Sequence, residues 1–166
     1  MNLRNKKINE LVGNSFDILI IGGGINGAVA AASLAARGAQ VALVDKGDFA
    51  GCTSQNSSNL VWGGIKYLES YEFSLVRKLC KSRNHLLRSY PSAIKEIRFY
   101  TNLEKGFRHS SRLLYWGALL YWGIGNFFTR RPRLITTLQI NQEEPVINTA
   151  DSIGGVEYSD AFLYDN

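Results

Sequence analysis

Residues 16–45 read FDILIIGGGINGAVAAASLAARGAQVALVD, and this stretch decides the fold. Phe16–Ile21 is a short apolar run that breaks into glycines, the pattern of a buried parallel strand. An alanine-rich helix is expected over Gly24–Arg37, with Gly38 as its natural stop. Val41–Val44 is a second buried strand, ended by Asp45. The order β–α–β in about 30 residues suits a right-handed crossover. Gly22, Gly24 and Gly27 spell G-x-G-x-x-G between strand and helix. The first glycine permits the tight turn, the second lets backbone approach a pyrophosphate, and the third lets the helix pack close to the strand. Ile25 and Asn26 open the helix, whose free N–H groups and partial positive charge face that pyrophosphate. Asp45 lies at the end of the second strand, where its carboxylate accepts hydrogen bonds from an adenosine ribose, with Lys46 beside it. An acid there suits FAD or NAD and disfavours a 2′-phosphate.

Outward from this core the chain is uneven in charge. Its 166 residues are 45% hydrophobic and 20% charged, with net charge +5, which suits a globular chain with a real core and argues against disorder. Residues 1–75 are balanced, 76–133 carry 13 basic side chains against Glu96 and Glu104, and 134–166 carry acids with no Lys or Arg. The basic block calls for an anionic surface, an anionic substrate or an acidic partner face. Cys52 and Cys80 match no metal or disulfide spacing and fit a reducing compartment. The N-terminus has no signal-peptide apolar run, and the longest apolar candidate, Leu113–Gly125, falls short of the roughly 20 residues of a spanning helix. A secreted scaffold and an integral membrane protein are thereby disfavoured, and a cytoplasmic location, in part peripheral on the cytoplasmic membrane, is expected.

Further along, residues 47–59 read as a Gly/Ser/Thr/Asn-rich loop. Tyr71–Tyr90 has apolar residues at three- and four-residue steps and is expected to be an amphipathic helix ended by Pro91. Glu96–Leu103 is expected to be a strand, Arg108–Phe128 an aromatic helix apolar almost all round, and Val156–Tyr158 a short strand. His85 and His109 stand alone in basic surroundings and suggest no metal site. No metal is expected.

Residues 47–69, GDFAGCTSQNSSNLVWGGIKYLE, together with Ile21–Ala28, closely resemble the FAD-dependent glycerol-3-phosphate dehydrogenases, a branch of the D-amino-acid-oxidase-like flavoproteins. The pattern there is roughly GDFA-x-x-TS-x-x-SS-x-L-x-HGG-[LI]-RYLE. Tyr71–Arg77 and Gly154–Ala161 continue the match. The resemblance implies an α/β fold: a Rossmann-like FAD-binding domain with the start of a mostly antiparallel substrate domain, truncated relative to the family. It places the N-terminal part of the FAD domain in 1–91 and a partial substrate or cap region in 92–166. Tyr164–Asn166 resembles the middle of a longer motif, so the C-terminus is read as a truncation.

The same resemblance implies FAD as cofactor, held by the G-x-G-x-x-G segment, by Thr53, Ser54, Ser57 and Leu60, and by Trp62, Gly63 and Gly64, where missing side chains would let backbone pass a flat isoalloxazine ring. It implies hydride transfer from glycerol 3-phosphate to the flavin, giving dihydroxyacetone phosphate, with electrons passed to a membrane quinone. Lys66 and Tyr67 become the substrate-side candidates, one attracting phosphate and the other offering a hydroxyl. Trp62 replaces the usual His, and Lys66 the usual Arg, which keeps the charge but loses the bidentate fork. Val29 and Ser33 also depart from the pattern, on the helix body. Two other readings stand beside this one: a related FAD-dependent amine or 2-hydroxy-acid oxidoreductase, and a non-catalytic fragment, since the isolated chain is expected to be inactive. Leu113–Phe128 with Arg112, Arg130, Arg131 and Arg133 reads either as a helix buried between domains or as a peripheral membrane contact. Nucleic-acid binding fits poorly, because the aromatics sit in an aliphatic run.

Overall fold

A computed structural model describes residues 3–164, so Asp165 and Asn166 of the C-terminal motif lie outside the described residues. Contacts divide the chain into two compact units, the first ending at Ser58 and the second beginning at Asn59.

The first unit contains α1 (Leu3–Val12), β1 (Ile18–Ile21), α2 (Ile25–Ala35) and β2 (Val41–Val44). β1 and β2 pair in parallel, Ile18 opposite Val41 through Ile21 opposite Val44. β2 matches its expected range residue for residue, while β1 and α2 fall inside theirs, each shorter by a few residues at its ends. Gly38 follows α2 with φ +91°, a left-handed residue just past the helix end. The two-stranded sheet is thin. Ile21 is 83% exposed, and no residue of α2 is fully buried. Parallel sheets are ordinarily covered on both faces, so this unit carries apolar surface suited to further layers.

The second unit is built on β6 (Ser152–Leu163). It pairs antiparallel along nearly its whole length with β4 (Ile94–Glu104) on one side. On the other side it pairs with β3 (Leu60–Val61) near Ala161 and with β5 (Arg133–Ile135) near Val156. A 3-10 turn (Ile65–Leu68), α3 (Phe73–Ser89), α4 (Ser111–Ile124) and α5 (Thr137–Glu143) complete it. The core gathers Val76 and Cys80 of α3 and Tyr121 of α4, with Ile65, Leu68 and Tyr158 against them.

Three expectations change here. The strand expected at Val156–Tyr158 runs for 12 residues. Gly154, Gly155, Ser159 and Asp160 have poor strand propensity, but a central strand is set by its neighbours. Gly155 shows why: a Cβ there would lie 1.7 Å from the Thr101 carbonyl oxygen. The helix expected at Arg108–Phe128 is shorter. It starts after Ser110, whose hydroxyl accepts the Leu113 N–H, and stops before Asn126 and Phe127, both at positive φ. It is not apolar-buried all round either: Ala118 and Tyr121 face the core, while Leu113, Trp116 and Leu120 form an exposed stripe, Trp116 at 67%. Finally, contacts group α3 with the antiparallel sheet, whereas the sequence division at 91/92 puts that helix with the dinucleotide cradle. The physical reason is Arg83, whose buried guanidinium bonds to β6 and α4.

Candidate functional site

The first unit forms a cradle at the β1–α2 turn. Gly22 donates its N–H to the Val44 carbonyl at 2.8 Å, closing the strand pair, and then turns the chain at φ +111°. Gly27 packs the helix onto that turn so tightly that a Cβ would sit 1.9 Å from the Gly22 carbonyl oxygen. The first bond of α2 runs from the Ala28 N–H to the Gly24 carbonyl. The preceding N–H groups, at Ile25, Asn26 and Gly27, lie at the positive end of the helix and make no intrahelical bond. Ser54 reaches across and accepts the Ile25 N–H at 3.0 Å. This serine therefore seats the 47–59 loop on the helix end, a role the sequence does not reveal.

Asp45 lies at the end of β2, within this unit. Its carboxylate accepts the Gly23 N–H at 2.7 Å and the Gly47 N–H at 2.9 Å. These bonds, first from Gly23 and then from Gly47, hold its carboxyl below the ordinary value of 3.8. The acid thus ties the glycine turn to the loop that follows β2, and lone pairs remain for ribose hydroxyls. Gly24, Asp45, Ala50, Gly51, Cys52, Thr53 and Ser54 line a cavity of about 190 Å³. Sites for whole ligands measure roughly 300–1,000 Å³, so this space suits one part of a dinucleotide, its ribose-phosphate portion. Helix N-terminus, fixed acid and side-chain-free turn together fit FAD.

A lowered folded pKa means that ionised Asp45 stabilises the loop above the ordinary carboxylate value. That contribution is lost as pH falls through the lower folded value. Asp45→Ala is expected to weaken FAD retention at neutral pH by about tenfold or more, because charge-assisted bonds are lost. Wild-type protein should begin to release flavin only as pH falls below the ordinary carboxylate value, since the folded value lies lower still. Fluorescence of released flavin during an acid titration checks both, and unchanged retention in Asp45→Ala would refute the role.

Within the second unit, β3 carries Leu60 and leads into Trp62, Gly63 and Gly64. The 3-10 turn follows with Lys66 and Tyr67. The Trp62 and Tyr67 rings lie 5.8 Å apart, and the Lys66 ammonium sits 5.3 Å from the first ring centroid and 5.4 Å from the second. An exposed cation over two aromatic faces is held loosely, by about 0.5–1 kcal/mol per contact, and remains available to an anion. The structure therefore brings Trp62, Lys66 and Tyr67 together.

The glycine pair has a reason other than the flat ring expected from sequence. A Cβ on Gly63 would lie 2.0 Å from the Tyr121 hydroxyl and 2.9 Å from both Arg83 and Cys80. Gly64 sits at φ +82°, and a Cβ there would meet Leu79 at 2.7 Å. The turn is thus seated on a buried polar cluster. Asp160 of β6 accepts from the Gly63 N–H (3.0 Å), from Arg83 Nη1 (2.7 Å) and from the Tyr121 hydroxyl (2.9 Å). Burial pushes the Asp160 carboxyl up, and Arg83 and Tyr121 pull it back. Burial also raises the Tyr121 hydroxyl, which stays a donor. Sequence reading does not single out Arg83, Tyr121 or Asp160. The available signal is Arg83 itself, on the apolar stripe of α3 three residues after Cys80 and seven after Val76.

The profile of the FAD-dependent oxidoreductase (DAO) family matches residues 17–166. A glycerol-3-phosphate dehydrogenase of Pseudomonas tolaasii is 37% identical over 152 residues, covering 90% of this chain and 28% of that protein. A D-erythritol 1-phosphate dehydrogenase of Brucella abortus is 38% identical over 154 residues, covering 90% of this chain and 29% of that protein. The crystal structure of the glycerol-3-phosphate dehydrogenase from Bacillus halodurans complexed with FAD shares the fold. It superposes with a TM-score of 0.64 at 24% identity, covering 96% of this chain and 24% of that one. The chain thus spans under a third of the length of these relatives.

Proposed function

Because this chain belongs to the FAD-dependent oxidoreductase family, we propose that it supplies the cofactor-cradling part of a dehydrogenase that oxidises glycerol 3-phosphate to dihydroxyacetone phosphate and passes electrons to a membrane quinone. The observation that carries this reading is the exposed Lys66 ammonium beside Tyr67, next to the Gly63–Gly64 turn, in a chain whose relatives are named for phosphorylated polyols. When bound, FAD supplies the two-electron acceptor. The chain's own residues bind and orient. The α2 N-terminus and Asp45 hold the ribose-pyrophosphate, Lys66 attracts a phosphate dianion, and the Tyr67 hydroxyl offers a hydrogen bond to the polyol.

D-erythritol 1-phosphate is a second reading, favoured by the Brucella relative, which is 38% identical against 37% for the Pseudomonas one over the same 90% of the chain. A substrate panel separates the readings. The flavin-loaded protein, mixed without oxygen, should lose its visible flavin absorbance with glycerol 3-phosphate. No loss would reject the first reading, and faster loss with D-erythritol 1-phosphate would install the second. Response to an amine or a 2-hydroxy acid alone would move the protein to another branch. Reoxidation by a soluble quinone analogue tests the acceptor.

The reading extends to the cytoplasmic face of a membrane. Leu113, Trp116 and Leu120 lie on one exposed face of α4, with Arg112 exposed in its first turn and Arg130 and Arg131 exposed in the segment that follows its C-terminal end. Apolar side chains entering the acyl boundary and arginines on anionic headgroups would suit that face. Arg133 does not belong with them, because its guanidinium bonds to Glu157 and Glu143. No helix among the described residues is long and apolar enough to cross a membrane. Co-sedimentation with anionic vesicles should fall at least about tenfold when Arg112, Arg130 and Arg131 become Glu, at roughly 1 kcal/mol per charge. Undiminished binding would exclude this contact.

A further inference from the structure

We infer that the buried Arg83–Asp160–Tyr121 cluster is a positioning device for substrate binding: it sets the Gly63–Gly64 turn and, through it, Lys66 and Tyr67. The inference rests on the proposal that these two side chains face the phosphorylated substrate.

The cluster joins four separate pieces of chain. Arg83 comes from α3, Tyr121 from α4, Asp160 from β6, and the fourth piece is the Gly63 backbone. Gly63 is gripped at both ends of its peptide groups. Its N–H donates to Asp160, and its carbonyl oxygen accepts from the Cys80 thiol, with sulfur 3.6 Å away. The Tyr121 hydroxyl donates to Asp160 and accepts from Arg83 Nη1 at 2.9 Å, so its one proton and its lone pair are both used. The remaining edge of Arg83 donates through Nε and Nη2 to the Asn84 side-chain oxygen, and the Asn84 amide donates to the Gly125 carbonyl at 2.8 Å. Arg83 and Asp160 are essentially inaccessible to solvent.

Such a pair is a poor way to gain stability, since well-packed apolar residues of similar volume often serve as well or better. What the polar cluster adds is direction. Three donors converge on one carboxylate, which fixes the height and tilt of the Gly63 peptide plane. Ile65, Lys66 and Tyr67 follow two to four residues after Gly63, and the Tyr67 N–H is itself bonded to the Gly64 carbonyl at 3.0 Å. Displacement of the turn therefore carries the cation and the phenol with it. The loosely held Lys66 ammonium has no deep partner of its own to correct the displacement.

Tyr121→Phe tests this in the flavin-loaded protein that contains the chain. The ring and its packing remain, and only the hydroxyl between Asp160 and Arg83 is lost. Deuterium uptake by the 60–68 peptide should accelerate about tenfold or more, as expected for loss of a hydrogen bond to a charged group. KM for glycerol 3-phosphate should rise about tenfold while kcat stays within about twofold, since binding is lost uniformly. Arg83→Lys, which keeps a cation but only one attachment, should move both readouts in the same direction and serves if Tyr121→Phe does not fold. Unchanged uptake in a folded variant, or faster uptake with an unchanged KM, overturns the inference. If the unaltered protein does not respond to glycerol 3-phosphate at all, the substrate reading has failed. Uptake by the 60–68 peptide then decides whether the cluster holds the turn.

Discussion

Gly27→Ala is expected to abolish stoichiometric FAD and to destabilise the βαβ unit. The added methyl would need the space of the Gly22 carbonyl oxygen, 1.9 Å from the ideal Cβ position. That oxygen is backbone, in a turn already at φ +111°, so no side-chain rotation relieves the clash. The strand and helix must separate by more than 1 Å, which shifts the Asn26 and Gly27 N–H groups at the helix end and breaks the seat of the Ile25 N–H on Ser54. Overpacking ordinarily costs about 1–3 kcal/mol, and a backbone collision belongs at the upper end. The unit has little core to absorb it: Ala42, at 5% exposure, is its one buried hydrophobic residue among those described. Gly38→Ala provides the contrast. Its φ is +91°, but nothing lies within 4 Å of the added carbon, so only the left-handed cost of about 1–2 kcal/mol applies and flavin should be retained. Flavin absorbance per mole of protein and thermal unfolding check both variants. Full flavin content in Gly27→Ala would mean that the close helix–strand packing is dispensable.

Removal of either member of the Arg83–Asp160 pair should have the largest effect on folding of the second unit. Arg83→Met leaves an unpaired carboxylate, and Asp160→Leu leaves an unpaired guanidinium, each buried at 2% exposure or less. Breaking such a pair costs about 3–5 kcal/mol, a large part of a typical folding free energy. The double variant should recover most of that loss, because neither charge is then stranded. It would still leave the Gly63 N–H without its acceptor, so flavin reduction by substrate should remain impaired after stability returns. Denaturant midpoints for both singles and the double measure the cycle. Singles that lose under about 1 kcal/mol would show that the cluster is solvated and not the rigid seat described above.

The cradle was legible because its physics is local. Gly22, Gly24, Gly27, Gly38 and Asp45 sit within one strand–helix–strand unit, and spacing alone brings them together. The Ser54 contact to Ile25 crosses 29 residues and depends on how the 47–59 loop folds back, which no local pattern encodes. β6 was visible only at Val156–Tyr158 because its glycines, serine and aspartate read as turn residues. β4 supplies a partner along nearly its whole length, from Gly155 to Leu163 and again at Ser152, and that pairing makes them strand. The α4 stripe was hidden for the opposite reason: a helix with apolar residues all round offers no period from which to tell the buried face from the exposed one.

Sequence by itself determined the dinucleotide cradle, the family, and the residues of the Trp62–Tyr67 strip, since these rest on glycine spacing and a contiguous motif. Tertiary structure alone decided why the Gly63–Gly64 turn tolerates no side chain. Tyr121, Arg83 and Asp160 come from positions 38 to 77 residues apart and meet beneath one peptide group, that of Gly63. A single buried carboxylate can be satisfied only by donors that converge in space, and convergence from three elements leaves no trace in the order of the residues.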